Sequence, residues 1–128
     1  MSFAFPRAER LRGKKKFKIL RTWAKTYKLS CLSLKAIHFP LHINGPLIQV
    51  AFSVTKKTQR KSVRRNRTKR LLREAYRLQK PLFTTLWQEG QAWLLWQWNC
   101  EYPPILSSLK SEMRKLFLYF IQDAQASD

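Results

Sequence analysis

Acidic residues are scarce in this chain. Seven Asp and Glu stand against 26 Lys and Arg in 128 residues, for a formal net charge of +19. The acids are Glu9, Glu74, Glu89, Glu101, Glu112, Asp123 and Asp128, so the 64 residues between Glu9 and Glu74 hold none, while carrying 20 of the basic residues. Such scatter weighs against a protein-held two-metal nuclease centre, because hard cations such as Mg²⁺ need clustered carboxylates. Glycosidase chemistry, which needs two facing carboxyls, is equally disfavoured. Glycine occurs three times, and neither a P-loop nor a Gly-x-Gly-x-x-Gly turn is present to cradle a nucleotide. His38 and His42 have no Cys or His neighbour at zinc-ligand spacing and read as exposed loop residues. Cys31 and Cys100, assigned to different predicted strands, read as free buried thiols rather than a disulfide, since residues 1–10 lack the apolar core of a secretory leader. The longest fully apolar runs, 92–96 and 116–121, fall far short of the roughly 20 residues that span a bilayer. These absences predict a cytoplasmic protein with no membrane-spanning segment and no metal site of its own, a basic amphipathic helix lying on a membrane surface being the minor alternative.

What is present predicts a folded domain. Apolar residues make up 45% of the chain and aromatics 13%, enough for a packed core. We read one domain over residues 10–121, preceded by a flexible arm over 1–9 and followed by a frayed tail over 122–128. Helical spacing of Leu11, Phe17 and Leu20 predicts a short basic helix over Arg10–Arg21. Alternation then predicts strands over Leu29–Phe39 and Leu47–Thr55, joined as a hairpin through the turn-rich stretch ending in Asn44-Gly45-Pro46. A helix over Ser62–Lys80 presents Leu71, Leu72, Ala75 and Leu78 as its apolar stripe, with Val63 at its entrance and Pro81 just past its end. A third strand is expected over Gln91–Trp98 and a last helix over Ile105–Ile121. The order helix, strand, strand, helix, strand, helix suggests a small mixed sheet covered by helices.

The charge concentrates on the middle helix and its approach. Residues 56–77 contain eleven basic side chains: Lys56, Lys57, Arg60, Lys61, Arg64, Arg65, Arg67, Lys69, Arg70, Arg73 and Arg77. At about 100° per residue, Asn66, Lys69, Arg70, Arg73 and Arg77 share one arc opposite the apolar stripe. Cations at a helix N-terminus oppose the helix dipole by about 0.3–1 kcal/mol each, and like charges one turn apart repel by about 0.2–0.5 kcal/mol. A bound phosphate backbone reverses the sign of these terms, so the repeated breach of local rules points to a polyanion.

At these residues the chain resembles a known family. Arg65-Asn66-Arg67-Thr68-Lys69-Arg70-Leu71-Leu72-Arg73-Glu74 is similar to the Arg-Asn-Arg helix signature of the bacterial ribonuclease P protein subunit. Val50-Ala51-Phe52-Ser53-Val54-Thr55-Lys56-Lys57 resembles the strand and Lys-Lys turn before that helix, and Arg10-Leu11 with Phe17 resembles the family's basic N-terminal helix. Ala75-Tyr76-Arg77-Leu78 looks most like the Bacteroidetes branch. The resemblance implies an α+β fold, a two-layer α/β sandwich with a left-handed βαβ crossover of the ribosomal-protein-like kind. It further implies an RNA subunit that performs Mg²⁺-dependent removal of the 5′ leader of precursor tRNA, with the Mg²⁺ held mainly by that RNA. The protein, one per RNA, helps bind the leader and supports the RNA. Carried over by position, Arg65, Asn66, Arg67, Lys69, Arg70 and Arg73 face the RNA subunit, with Lys56, Lys57, Arg10, Arg64 and Arg77 beside them. Phe17 matches an aromatic of the leader cleft. Arg21 and Lys35 stand where many members have further aromatics, which shifts the cleft from stacking toward charge.

A ribosomal or other structural RNA-binding protein is the competing reading; it would cofractionate with a ribosomal subunit rather than with one free RNA. A DNA-binding role is disfavoured, because the basic helix follows a strand rather than a short turn after another helix.

Overall fold

The computed structural model describes residues 5–40, 47–57, 59–88 and 90–126. A 3₁₀ turn at Arg7–Glu9 precedes α1 (Lys14–Trp23), β1 (Lys25–Leu29), β2 (Leu32–Phe39), β3 (Ile48–Val54), α2 (Ser62–Leu86), β4 (Gln91–Trp98) and α3 (Leu106–Ala126). The strands form one mixed sheet in the order β1-β2-β4-β3. β1 and β2 are antiparallel, β2 and β4 are antiparallel, and β3 runs parallel to β4.

That order corrects the expected hairpin between the strands predicted over Leu29–Phe39 and Leu47–Thr55, which are β2 and β3 here. β4 lies between β2 and β3, pairing Leu34 with Trp96 on one side and Phe52 with Trp96 on the other. The hairpin in the chain is instead β1–β2, turned at Ser30 and Cys31. Ser30 there has a φ of 50°, in the left-handed region, without the Gly or Asn that usually marks such a turn. His42 and the Asn44-Gly45-Pro46 turn lie outside the described residues.

Alternation sorts the sheet into two unlike faces. Leu32, Leu34, Ala36, Ile48, Val50, Leu94, Trp96 and Trp98 point to the main core, which α2 and α3 cover. α1 packs on the opposite face, where Leu11, Leu20 and Leu95 form a second, smaller cluster. The main core is built on aromatic contacts, including Phe83 with Phe117 at 4.5 Å and Trp87 with Phe120 at 4.9 Å. These contacts also explain why α2 continues through Pro81 rather than stopping before it. Phe83 and Trp87 are fully buried, and anchoring them outweighs the one helical hydrogen bond that proline removes.

The expected loose ends are, where described, packed. Phe5 contacts the rings of Phe52 and Tyr76, and Glu9 pairs with Lys80 at 2.7 Å. α3 extends past residue 121 to Ala126, with Ala124 buried and Tyr27 Oη donating to Asp123 Oδ2 at 2.8 Å. His38 belongs to β2 rather than to an exposed loop, and its ring lies against Trp87 and Phe120.

The cysteines require the firmest correction. Cys31 and Cys100 are joined as a disulfide, with Cα atoms 5.4 Å apart. Cys31 occupies the β1–β2 turn and Cys100 follows β4, so neither lies in a strand. The β2–β4 register creates the pair, because it sets Leu32 beside Trp98 and lets Asn99 N donate to Cys31 O at 2.8 Å.

Candidate nucleic-acid interface

One side of α2 is locked into the protein. Thr68, Leu72, Ala75, Tyr76, Gln79 and Phe83 are buried, whereas Leu71 and Leu78 sit on the flank and Val63 is 76% exposed. The buried stripe is thus turned away from the one expected from leucines alone, toward Tyr76 and two polar residues. Thr68 is satisfied by Gln59, whose Oε1 accepts from its hydroxyl at 3.0 Å. Gln59 is itself buried, and its Nε2 donates to Cys100 O at 2.9 Å. Arg65 Nη1 donates to Gln59 O at 2.9 Å and to Arg60 O at 2.7 Å. This polar clamp ties the chain entering α2 to the segment that follows β4. It also gives Arg65 a structural duty that its place in the Arg-Asn-Arg run does not reveal.

The opposite side is basic and open. Arg64, Asn66, Arg67, Arg70 and Arg73 are exposed, and Lys69 is half-buried. Arg77 is set apart by Glu74, with Nη2 to Oε1 at 2.6 Å and Nε to Oε2 at 3.0 Å. Hydrogen bonding from Arg77 holds the Glu74 carboxyl below its ordinary value, and the same bonds raise the Arg77 guanidinium. Among the described residues, Arg64, Arg67, Lys69, Arg70 and Arg73 make no ion pair with a carboxylate. The first turn of α2 has no acid, and Lys61 at its N-cap makes no side-chain capping bond. Free amides and guanidinium forks together favour phosphate there.

The approach to α2 adds to the same surface. Lys56 and Lys57 are exposed in the turn after β3. Lys57, Arg60, Lys61 and Arg64 line an open cavity of about 300 Å³, and Arg64 and Arg67 line an adjoining one of about 480 Å³. Glu101 borders both cavities and Tyr102 borders the larger. Sequence reasoning missed these two, together with Gln59 and Thr68, because nothing local links a loop after β4 to a helix start some forty positions earlier.

Arg10 stands elsewhere. It precedes α1 rather than opening it, bridges to Val50 at the β3 edge, and lies over the Phe5 ring at 5.4 Å. Phe17 and Lys35 do share the α1 face of the sheet. Phe17 is half-buried against the Leu11, Leu20 and Leu95 cluster, and Lys35 is the cross-strand neighbour of Leu95. Arg21 is exposed one turn after Phe17 on α1. Beside them the face turns polar, with Ser33, Gln97 and Ser53 in one cross-strand row. Among the described residues no three His, Cys, Asp or Glu side chains gather as a metal site. None of the helices described is long and apolar enough to cross a membrane.

The Ribonuclease P family model matches residues 5–95, a span that takes in β3, the whole of α2 with its basic face, and the first half of β4. The chain belongs to the ribonuclease P protein family. The Ribonuclease P protein component of Chlorobium phaeobacteroides is 52% identical over 47 residues, covering 37% of this chain and 32% of the relative. That of Porphyromonas gingivalis is 59% identical over 39 residues, 30% of this chain and 28% of its own, which fits the Bacteroidetes resemblance. The chain therefore aligns with about a third or less of the length of these two relatives. The Nitrosomonas eutropha component matches more broadly, at 38% over 76 residues, 59% of this chain and 60% of its own. Two solved structures share the α+β fold. The Staphylococcus aureus RNase P protein superposes with a TM-score of 0.63 over 87% of this chain and 94% of its own, at 12% identity. The Thermotoga maritima protein gives 0.51 over 89% of each chain, at 20% identity. The ribonuclease P family thus takes in both the basic helix and the mixed sheet beneath it.

Proposed function

We propose that this chain is the protein subunit of ribonuclease P, acting in the cytoplasm in tRNA 5′ maturation. One subunit binds one catalytic RNA, with Asn66, Arg67, Lys69, Arg70 and Arg73 as the main contact face and Arg64, Lys56 and Lys57 at its entrance. Arg65 orders that face through the entry clamp, while Arg77 and Arg10 lie at its margins. The 5′ leader of precursor tRNA runs along the α1 side of the sheet past Phe17, Arg21 and Lys35. The RNA subunit holds the Mg²⁺ and performs the hydrolysis. This chain's own side chains bind and orient; its scattered acids are assigned no step of the chemistry.

The observation that carries this reading is the unpaired basic face of α2, rigidly presented because its other side is buried. The test is reconstitution. The cognate RNA should cleave precursor tRNA alone at elevated Mg²⁺, and added protein should lower the Mg²⁺ requirement. Cleavage by rigorously RNA-free protein, or no protein effect at low Mg²⁺, overturns the proposal.

A further inference from the structure

The groove between the start of α2 and the loop after β4 has a composition that phosphate binding alone does not explain. Four basic residues line the smaller cavity, yet Glu101 is placed at the junction of both cavities. Only seven acids exist in the chain, and this one faces a surface where a carboxylate repels the expected ligand. Nor does it serve to neutralise its neighbours, since among the described residues it makes no ion pair with them. A carboxylate left open in a basic groove is an acceptor waiting for donors.

Tyr102 stands next to it and is 62% exposed, but it is not loose. Its hydroxyl contacts Cys31 Sγ at 3.2 Å, and its carbonyl accepts from Trp98 Nε1 at 2.8 Å. Its ring stands edge-on to Trp98, at 82° and 6.3 Å between centroids. Cys100, two residues earlier, is held by the disulfide and by Gln59. An aromatic ring fixed in position, exposed, and beside Arg64 and Arg67 has what a stacking platform for a single-stranded base requires. Gln59 and Thr68 on the groove floor already satisfy each other. The volume of about 480 Å³ falls within the roughly 300–1,000 Å³ typical of small-ligand sites.

We propose that this groove binds one unpaired RNA nucleotide, its base stacked on Tyr102, its phosphate on Arg64 and Arg67, and its Watson–Crick edge read by Glu101. Guanine is the base best matched, because N1–H and the N2 amino group lie side by side and both can donate to one carboxylate. Adenine and cytosine offer a single amino group there, and uracil an imide N–H flanked by repelling carbonyls. The inference rests on the RNA-binding reading of α2 and adds a base-specific contact to it.

The experiment measures affinity of the full chain for the oligoribonucleotides UUGUU and UUUUU, alongside binding of the ribonuclease P RNA as a function of salt. UUGUU should bind several-fold more tightly. Glu101→Gln should abolish that preference while leaving UUUUU binding equal or stronger. Tyr102→Ala should weaken both oligonucleotides by about tenfold, and Tyr102→Phe, which keeps the ring, should retain wild-type affinity. If Glu101→Gln strengthens both oligonucleotides equally, or the wild-type chain shows no preference, the nucleotide site is overturned. RNA-subunit binding with a steep salt dependence in that same result would leave the broader RNA-binding reading standing. Absence of RNA-subunit binding would overturn that reading itself.

Discussion

From Ser62 to Arg73, α2 carries six basic side chains and buries only Thr68 and Leu72; from Glu74 to Leu86 it carries Arg77 and Lys80 and buries Ala75, Tyr76, Gln79 and Phe83. The second stretch is held by rings, with Phe83 packed against Tyr76, Trp96 and Phe117. The first is held by the Gln59 clamp and by Leu72 in the core, and turns its charged side outward. One continuous helix thus lets a self-repelling segment stand rigid because its continuation is anchored. The like charges of the first half destabilise it by tenths of a kcal/mol per pair, whereas each buried ring of the second contributes several times that.

The largest effect expected from this division falls on the anchored half. Phe83→Ala should lower unfolding free energy by about 3–5 kcal/mol, while the folded protein keeps its affinity for RNA. Urea unfolding and a salt-titrated binding series check both parts. A loss below about 1 kcal/mol would break the claim that the rings carry the helix.

Next comes the link that supports the open half. Reducing Cys31–Cys100, which are 69 positions apart, should cost about 2–4 kcal/mol. Thermal midpoints with and without reductant should differ, and Cys31→Ser should abolish the difference. Because Cys100 O accepts from Gln59, hydrogen exchange should quicken first around residues 59–68. Uniform quickening along α2 would remove the distinction between its halves.

A smaller effect is expected at alkaline pH. Burial, with a lesser contribution from Glu9, raises the Tyr76 hydroxyl above its ordinary 10.0. The folded state therefore keeps a proton that the unfolded state loses. Stability is fully present below pH 10 and declines as pH rises beyond it, by at most about 1.4 kcal/mol per pH unit for one group. Tyr76→Phe should flatten that decline, and an unchanged slope would argue against it.

The smallest change in stability is expected in the open half. Arg67→Ala and Arg70→Ala should each alter unfolding free energy by less than about 0.5 kcal/mol. Each should make the slope of log K against log salt for the RNA subunit shallower by about 0.7–0.9. Arg77→Ala, already paired with Glu74, should change that slope less. Equal slopes for all three variants would mean the pairing does not matter to RNA.

Much of this division was legible in the chain itself. The basic run over 56–77, the helix it occupies and the strand before it follow from local periodicity and charge, and the element order suggested a mixed sheet covered by helices. The ribonuclease P resemblance, and the α+β fold it implies, rest instead on contiguous residues matched as a motif, above all 65–74. The apolar stripe was less legible: leucine positions pointed to Leu71 and Leu78, but Tyr76, Thr68 and Gln79 took the buried side because rings and amides on other elements met them there. β1 escaped notice because Lys25–Leu29 is polar and mostly exposed, and its turn at Ser30 has none of the usual turn residues.

By itself, then, the sequence determined which segment is helical, which side of it is charged and what class of partner it suits, since backbone preference and side-chain spacing act over a few neighbouring residues. Only the tertiary structure decided that β4 enters between β2 and β3, that Cys31 meets Cys100, and that Glu101 and Tyr102 border the start of α2. The reason is physical: strand order and register are settled by burying both faces of the sheet at once. No local pattern records which distant strand supplies the hydrogen bonds.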